Sequence, residues 1–367
     1  MLSKIFYKLT LAAVISLASL SAYAEYTFTL LDSLSGGSGT TANSINNSGQ
    51  VVGLSFANGM SYSTLWIGTT AYGLGTLGDG TYMTVINSIN DSGQIVGTSN
   101  NQATLWSNGT ITNLNTTGAA MTAAFSINSS GQVVGETSVF SGSHATLWSN
   151  GNVTDLGTLV DGNYLASSAK SINNSGQVVG WSHSIDGQSI HAVMWNNGFI
   201  SDLGTADGFS NSYASSINNL GQSVGYSYNY HGGTTHATLW SNGAVTDLGT
   251  LGGSMSQAYS INDLGQVVGY STLAGDLGTY ATLWEGSNAV DLNNFLSLDY
   301  KDAGWVLVSA NGINYSGSIV GSASNGLLGI TQAFLLTPVP EADTSAMLLM
   351  GAGVMGFIAR RRKQVTA

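Results

Sequence analysis

Ser44-Ile45-Asn46-Asn47-Ser48-Gly49-Gln50-Val51-Val52-Gly53 is the phrase on which the fold turns. It returns as SINDSGQIVG at 88–97, SINSSGQVVG at 126–135, SINNSGQVVG at 171–180, SINNLGQSVG at 216–225, SINDLGQVVG at 260–269 and GINYSGSIVG at 312–321. Its Ile stands at 45, 89, 127, 172, 217, 261 and 313, so the steps are 44, 38, 45, 45, 44 and 52. A period of this size marks a propeller, a solenoid or an array.

The phrase predicts a β-hairpin. One strand ends at Ser-Ile; Asn-x-x-Gly makes a tight turn, because Asn tolerates turn geometry and Gly accepts a positive φ. Gln-Val-Val-Gly opens the second strand. A third strand carries Leu-Trp (65–66, 105–106, 147–148, 239–240, 283–284, with Met194-Trp195 as the variant), and an Asn-Gly turn often follows, as at 108–109 and 150–151. Val-Thr-Asp-Leu-Gly, at 153–157 and 245–249, is the fourth. Four strands per unit at this period is the arithmetic of a propeller.

The seventh unit reaches its third strand at Ala333-Phe334-Leu335-Leu336 and lacks a fourth. Tyr26-Thr27-Phe28-Thr29-Leu30-Leu31-Asp32 precedes the first unit as an orphan strand that would complete the last blade. Closure of that kind removes exposed sheet edges. The expectation is an all-β, seven-bladed β-propeller over residues 25–337, closed by the N-terminal strand; a β-solenoid is the alternative.

The ends read as addresses. In residues 1–24, Lys4 and Lys8 precede an apolar run from Leu9 to Leu20, and Ala22-Tyr23-Ala24 is a small-x-small cleavage site. This is a secretory signal peptide for the Sec export machinery. At the other end, Ala346–Ala359 is apolar and short for a membrane span. Arg360, Arg361, Arg362 and Lys363 follow directly, the cationic flank retained on the cytoplasmic side of a membrane. Both prolines, Pro338 and Pro340, lie just before this segment.

Residues 338–367 resemble a PEP-CTERM sorting signal: Val339-Pro340-Glu341 matches the start of its Pro-Glu-Pro motif, the apolar run its short helix, and Arg360–Lys363 its basic end. Ala342 stands where the second Pro would be. The resemblance implies an exosortase as partner, a transient inner-membrane intermediate held by the C-terminal helix, and release to the cell surface or the extracellular space. Residues 41–336 resemble the HAF family of extracellular repeats, with His144-Ala145, His191-Ala192 and His236-Ala237 at the His-Ala-Phe position and Gln332-Ala333-Phe334 keeping its other half. This resemblance implies an extracellular location and no defined activity.

Composition narrows the function. Cysteine is absent, so neither disulfides nor thiolate chemistry are available. Between Glu25 and Pro340, two basic residues, Lys170 and Lys301, face seventeen acidic ones, a net charge of −15. Nucleic acid is excluded as a partner, since binding it needs cations to replace phosphate counterions.

His144, His191 and His236 share a repeat position with Tyr62, Gln102, Tyr280 and Gln332, which argues for strand-edge residues over metal ligands. His183 and His231 have no metal-spaced partner. Asp155, Asp202, Asp247 and Asp291 recur once per unit and read as turn elements; a glycosidase acid–base pair should break the repeat. Gly78-Asp79-Gly80, Asp161-Gly162-Asn163 and Asp207-Gly208 lack the alternating oxygen ligands of a calcium loop. No phosphate loop, Gly-x-Ser-x-Gly elbow or His-Glu-x-x-His pair occurs.

No catalytic residue, metal or cofactor is therefore expected. The residue after each Val-Gly is Leu54, Thr98, Glu136, Trp181, Tyr226, Tyr270 or Ser322. Trp181, Tyr226 and Tyr270, with Tyr228 and Tyr230 nearby, form a candidate platform for stacking sugar rings. The function expected is a non-enzymatic surface or matrix protein that binds exopolysaccharide or an envelope component. Two alternatives stand beside it: a glycan-active hydrolase or lyase using Glu136 and Asp186, and a purely structural, adhesive biofilm protein.

Overall fold

The computed structural model of the chain describes residues 25–78, 84–140, 142–160, 165–184, 187–230 and 232–339. The signal peptide, with Ala22 and Ala24, lies outside them, as does the tail from Pro340 onward, with Glu341 and Arg360–Lys363.

The first repeat shows how the phrase works. After β1 (Tyr26–Leu30), it comprises β2 (Gly37–Ile45), β3 (Val51–Ala57), β4 (Met60–Ile67) and β5 (Thr70–Gly73), an antiparallel sheet in that order. At the β2–β3 turn the Asn46 N–H donates to the Gln50 carbonyl at 3.0 Å, and the Gly49 N–H donates back to the Asn46 carbonyl at 3.1 Å. Gly49 sits at φ +79°, the left-handed region. The Asn46 carboxamide finishes the turn, its Oδ1 accepting the Gln50 N–H at 2.9 Å. At the third-to-fourth-strand turns, Asn108 (φ 50°) and Gly109 (φ 74°) give the left-handed pair that hairpins of this kind use.

Among the described residues there are six sheets, five of four strands and one of eight. The eight-stranded sheet is two repeats joined by a single parallel pairing, Thr235 with Met255. The last repeat supplies Trp305–Ile313, Ile319–Asn325 and Ile330–Pro338, and β1 lies beside the last of these as the fourth strand. There the Leu31 N–H donates to the Ala333 carbonyl at 2.9 Å.

Phe28–Thr337 forms one compact unit. In the other, the Val339 N–H donates to the Glu25 carbonyl at 2.7 Å. Among the described residues no helix is long and apolar enough to cross a membrane; the expected C-terminal helix lies outside them.

The core lies between successive sheets. Trp66, fully buried, packs with Ala42, Ile45 and Val51 of its own repeat and with Leu31, Val320 and Ala333 of the last sheet. Its indole N–H donates to the Asp32 carbonyl at 2.7 Å. Trp195 and Trp240 stand in equivalent clusters, and in the last repeat the buried Leu336, opposite Ile319 as Trp66 is opposite Val51, takes the place. The Trp of the third strand is thus core.

Two features organise the inner strands. First, the turn asparagines bind one another's repeats in series. Each Nδ2 donates to the next backbone carbonyl: Asn46 to Asn90, Asn90 to Asn128, Asn128 to Asn173, Asn173 to Asn218, Asn218 to Asn262, Asn262 to Asn314, and Asn314 to Asn46, at 2.9–3.1 Å.

Second, every first strand carries a β-bulge two residues before its Ile. The register breaks between Ala42 and Ser44, Ala169 and Ser171, Ala214 and Ser216, and at the matching place in the other repeats. The Gly of the Val-Gly step makes this possible: a Cβ on Gly97 would stand 2.0 Å from the Val85 carbonyl oxygen, and one on Gly225 would stand 1.8 Å from that of Tyr213. Only glycine lets the strands approach so closely.

Candidate functional site

Each bulge leaves one residue unpaired in the ladder. These are Asn43, Asn87, Phe125, Lys170, Ser215, Tyr259 and Asn311. The three asparagines repeat the bonding of the turn ring: Asn311 Nδ2 donates to the Ala42 carbonyl at 2.8 Å, Asn43 to Ile86 at 2.6 Å, and Asn87 to Ala124 at 2.7 Å. The four repeats between carry Phe125, Lys170, Ser215 and Tyr259 at this position, and so lack the carboxamide that makes this bond. A cavity of about 620 Å3 lies in this sector, reaching as far as Asn87 and walled by Phe125, Glu136, Lys170, Trp181, Tyr213 and Tyr226 together with Tyr259.

Strand register builds the wall. Glu136 stands opposite Ala123, Trp181 opposite Ser168, Tyr226 opposite Tyr213, and Tyr270 opposite Gln257. Tyr213 and Tyr226 are stacked, with centroids 5.3 Å apart and planes within 12°. Trp181 lies 5.5 Å from Tyr213, and Tyr228 and Tyr230 extend the array at 6.0 and 6.3 Å spacings. Tyr259 meets Tyr270 at 5.7 Å. Trp181 and Tyr226, singled out in the sequence, therefore share a wall, and Tyr270 joins it through Tyr259.

The wall also holds Tyr213, Tyr259, Phe125 and Lys170, which sequence reasoning missed. The signal was present: two residues before the repeat Ile, asparagine holds three positions and four dissimilar residues hold the rest.

Among the described residues lining the cavity, charge is carried by one opposed pair, Lys170 and Glu136. Lys170 Nζ sits 3.9 Å over the Phe125 ring, a cation–π contact. Burial lowers the Lys170 pKa, and the Glu136 carboxylate works against that shift. Burial, reinforced by Tyr228, Tyr230 and Glu136, pushes the Tyr213 hydroxyl up to about 12, and burial raises Tyr226 and Tyr259 further. At neutral pH the wall thus presents phenols, neutral donors and acceptors on flat apolar rings.

The repeated histidines and aspartates prove to be partners. His144 Nδ1 lies 2.8 Å from Asp155 Oδ2, His191 2.7 Å from Asp202, and His236 2.6 Å from Asp247. The other oxygen of each carboxylate accepts the N–H of Gly157, Gly204 or Gly249, fixing the following turn. Burial works to raise the Asp202 pKa, but the hydrogen bonds from His191 and Gly204 and the His191 charge bring it below the ordinary value. Asp291 caps a short 3₁₀ turn by accepting the Asn293 N–H at 2.8 Å. His183 Nδ1 accepts the Ala166 N–H at 2.9 Å. These are architectural bonds at the sheet edges. Among the described residues no group of three or more histidine and acidic side chains is arranged to hold a metal ion. Asp79, Asp161, Asp186 and His231 lie outside the described residues.

Comparison with known proteins agrees with this architecture. Residues 338–363 match the PEP-CTERM protein-sorting motif. A streptogramin B lyase structure superposes with a TM-score of 0.51 at 10% identity, covering 86% of this chain and 98% of its own. YCF48 bound to D1 peptide gives 0.49 at 12% identity, covering 88% and 97%. A search of curated sequences finds no match. The chain is similar to the streptogramin B lyase structure in fold alone: it is an all-β protein of propeller-like architecture. It carries the sorting motif of proteins exported through the membrane to the cell surface.

Proposed function

We propose that this is a non-enzymatic cell-surface or extracellular-matrix protein that binds exopolysaccharide or an envelope component through the Trp181–Tyr213–Tyr226 wall. An exosortase would process its tail at Val339-Pro340-Glu341, after an inner-membrane intermediate held by the segment ending in Arg360–Lys363. Its HAF-like repeats would form a closed seven-bladed β-propeller. The bond from Asn314 to the Asn46 carbonyl and the pairing of Leu31 with Ala333 support that closure.

One observation carries the binding reading. Departures from the repeat, namely Phe125, Lys170 and Tyr259 at the bulges with Glu136, Trp181 and Tyr226 beside them, fall in one sector and surround one cavity. Aromatic faces with polar rims suit the apolar faces and hydroxyls of sugar rings. A hydrolase would need two carboxylates flanking the scissile bond; among the described residues lining the cavity, Glu136 is the carboxylate.

The test is co-sedimentation of the full chain with the exopolysaccharide of its own host, with polymer sizing on the same sample. Binding with intact polymer is expected. Shortened polymer would establish the hydrolase or lyase alternative, and absence of both binding and shortening would favour the structural, adhesive one.

A further inference from the structure

We infer that the cavity selects an uncharged glycan, Lys170 and Glu136 acting together as the donor and acceptor for its hydroxyl groups. This rests on the reading of the cavity as a glycan site and adds the chemical class of the ligand.

Lys170 and Glu136 both line the cavity, and each is only partly exposed. They interact electrostatically, since the Glu136 charge acts on Lys170, yet they are not close enough to form an ion pair. Among the described residues neither side chain makes a hydrogen bond; the Lys170 ammonium has the Phe125 ring as its close partner. Partly desolvated charges with unused hydrogen-bonding capacity are costly, and a ligand that satisfies both recovers that cost. The ammonium offers donors and the carboxylate offers acceptors.

A hydroxyl group both donates and accepts, so neighbouring hydroxyls of one sugar can serve the two side chains at once. An anionic sugar would meet Glu136 and the field of a chain carrying −15 between Glu25 and Pro340. A cationic sugar would meet Lys170. The stacked Tyr213 and Tyr226 and the nearby Trp181 supply the apolar face for a ring whose edge carries these hydroxyls.

The experiment is calorimetric titration of the full chain with neutral glucan, mannan and galactan, with polygalacturonate, and with chitosan, each at low and high salt. Binding to at least one neutral polymer, unchanged by salt, is expected. Glu136→Gln and Lys170→Met should each weaken it by about tenfold, the loss of a hydrogen bond to a charged group. The salt series on the unaltered chain stands without either variant. Salt-sensitive binding to polygalacturonate or chitosan alone would overturn the inference while leaving the glycan reading in place. Binding to a neutral polymer that both variants leave untouched would likewise overturn the roles of Lys170 and Glu136. Failure to bind any of the polymers would overturn the glycan reading itself.

Discussion

Asn314 Nδ2 donates to the Asn46 carbonyl at 3.1 Å, across 268 residues of sequence. The same bond links each of the remaining successive pairs of turn asparagines. If this contact closes a ring in solution, Asn314→Leu and Asn128→Leu should cost the same, about 1–3 kcal/mol for buried partners left unsatisfied. Denaturant unfolding of both variants checks this. A clearly smaller cost at Asn314 would mean that the ends do not meet.

Gly97→Ala should destabilise the chain by a few kcal/mol, because the new Cβ would lie 2.0 Å from the Val85 carbonyl oxygen and must displace the bulge. Gly109→Ala is the control: it has open space around it and strains only φ. Thermal melts should place Gly97→Ala well below Gly109→Ala.

How much of this was legible follows from where the chemistry resides. The hairpin turn needs Asn and Gly at fixed positions, so Asn46 and Gly49 betray it in every repeat. The third-strand Trp is apolar at a fixed step, so the core was legible too. The cavity was legible in part, through Trp181 and Tyr226; the rest of its wall was missed because a bulge adds one residue to one strand and so changes which side chain faces the neighbouring repeat. Lys170 and Tyr259 stand at such positions. The His144–Asp155 pair was hidden for a related reason: both residues were visible as repeated features, but their meeting depends on the register that sets Asp155 opposite Thr146.

Tyr213→Ala should abolish ligand binding and cost the stacking on Tyr226, about 0.5–1.5 kcal/mol beyond the lost burial. Tyr213→Phe keeps the ring and should retain most of the affinity. Titration of both variants, with circular dichroism to confirm folding, distinguishes a stacking surface from a hydroxyl contact.

Stability should fall at alkaline pH. Tyr213 is raised to about 12, chiefly by burial, from an ordinary 10.0, with Tyr226 and Tyr259 raised as well. A phenol held neutral in the fold contributes fully below the unfolded pKa, and that contribution is lost as pH rises toward the folded value. Tyrosinate absorbance should therefore lag behind that of free tyrosine, then rise together with unfolding.

Asp202 works in the acid direction. Its folded pKa is lowered, so its contribution is present above the ordinary aspartate value and disappears as pH falls through the folded one. Asp202→Asn should flatten the acid limb of stability against pH and leave ligand binding unchanged, since the His191–Asp202 pair lies outside the cavity lining.

Glycan binding is assigned to the aromatic sector around Trp181 and Tyr226. Its most direct test is calorimetric titration of the full chain and its Trp181→Ala/Tyr226→Ala double variant with the exopolysaccharide of the host. Binding by the unaltered chain is expected, with a loss of at least about tenfold in affinity in the folded double variant. Equal affinity in the two proteins would contradict it.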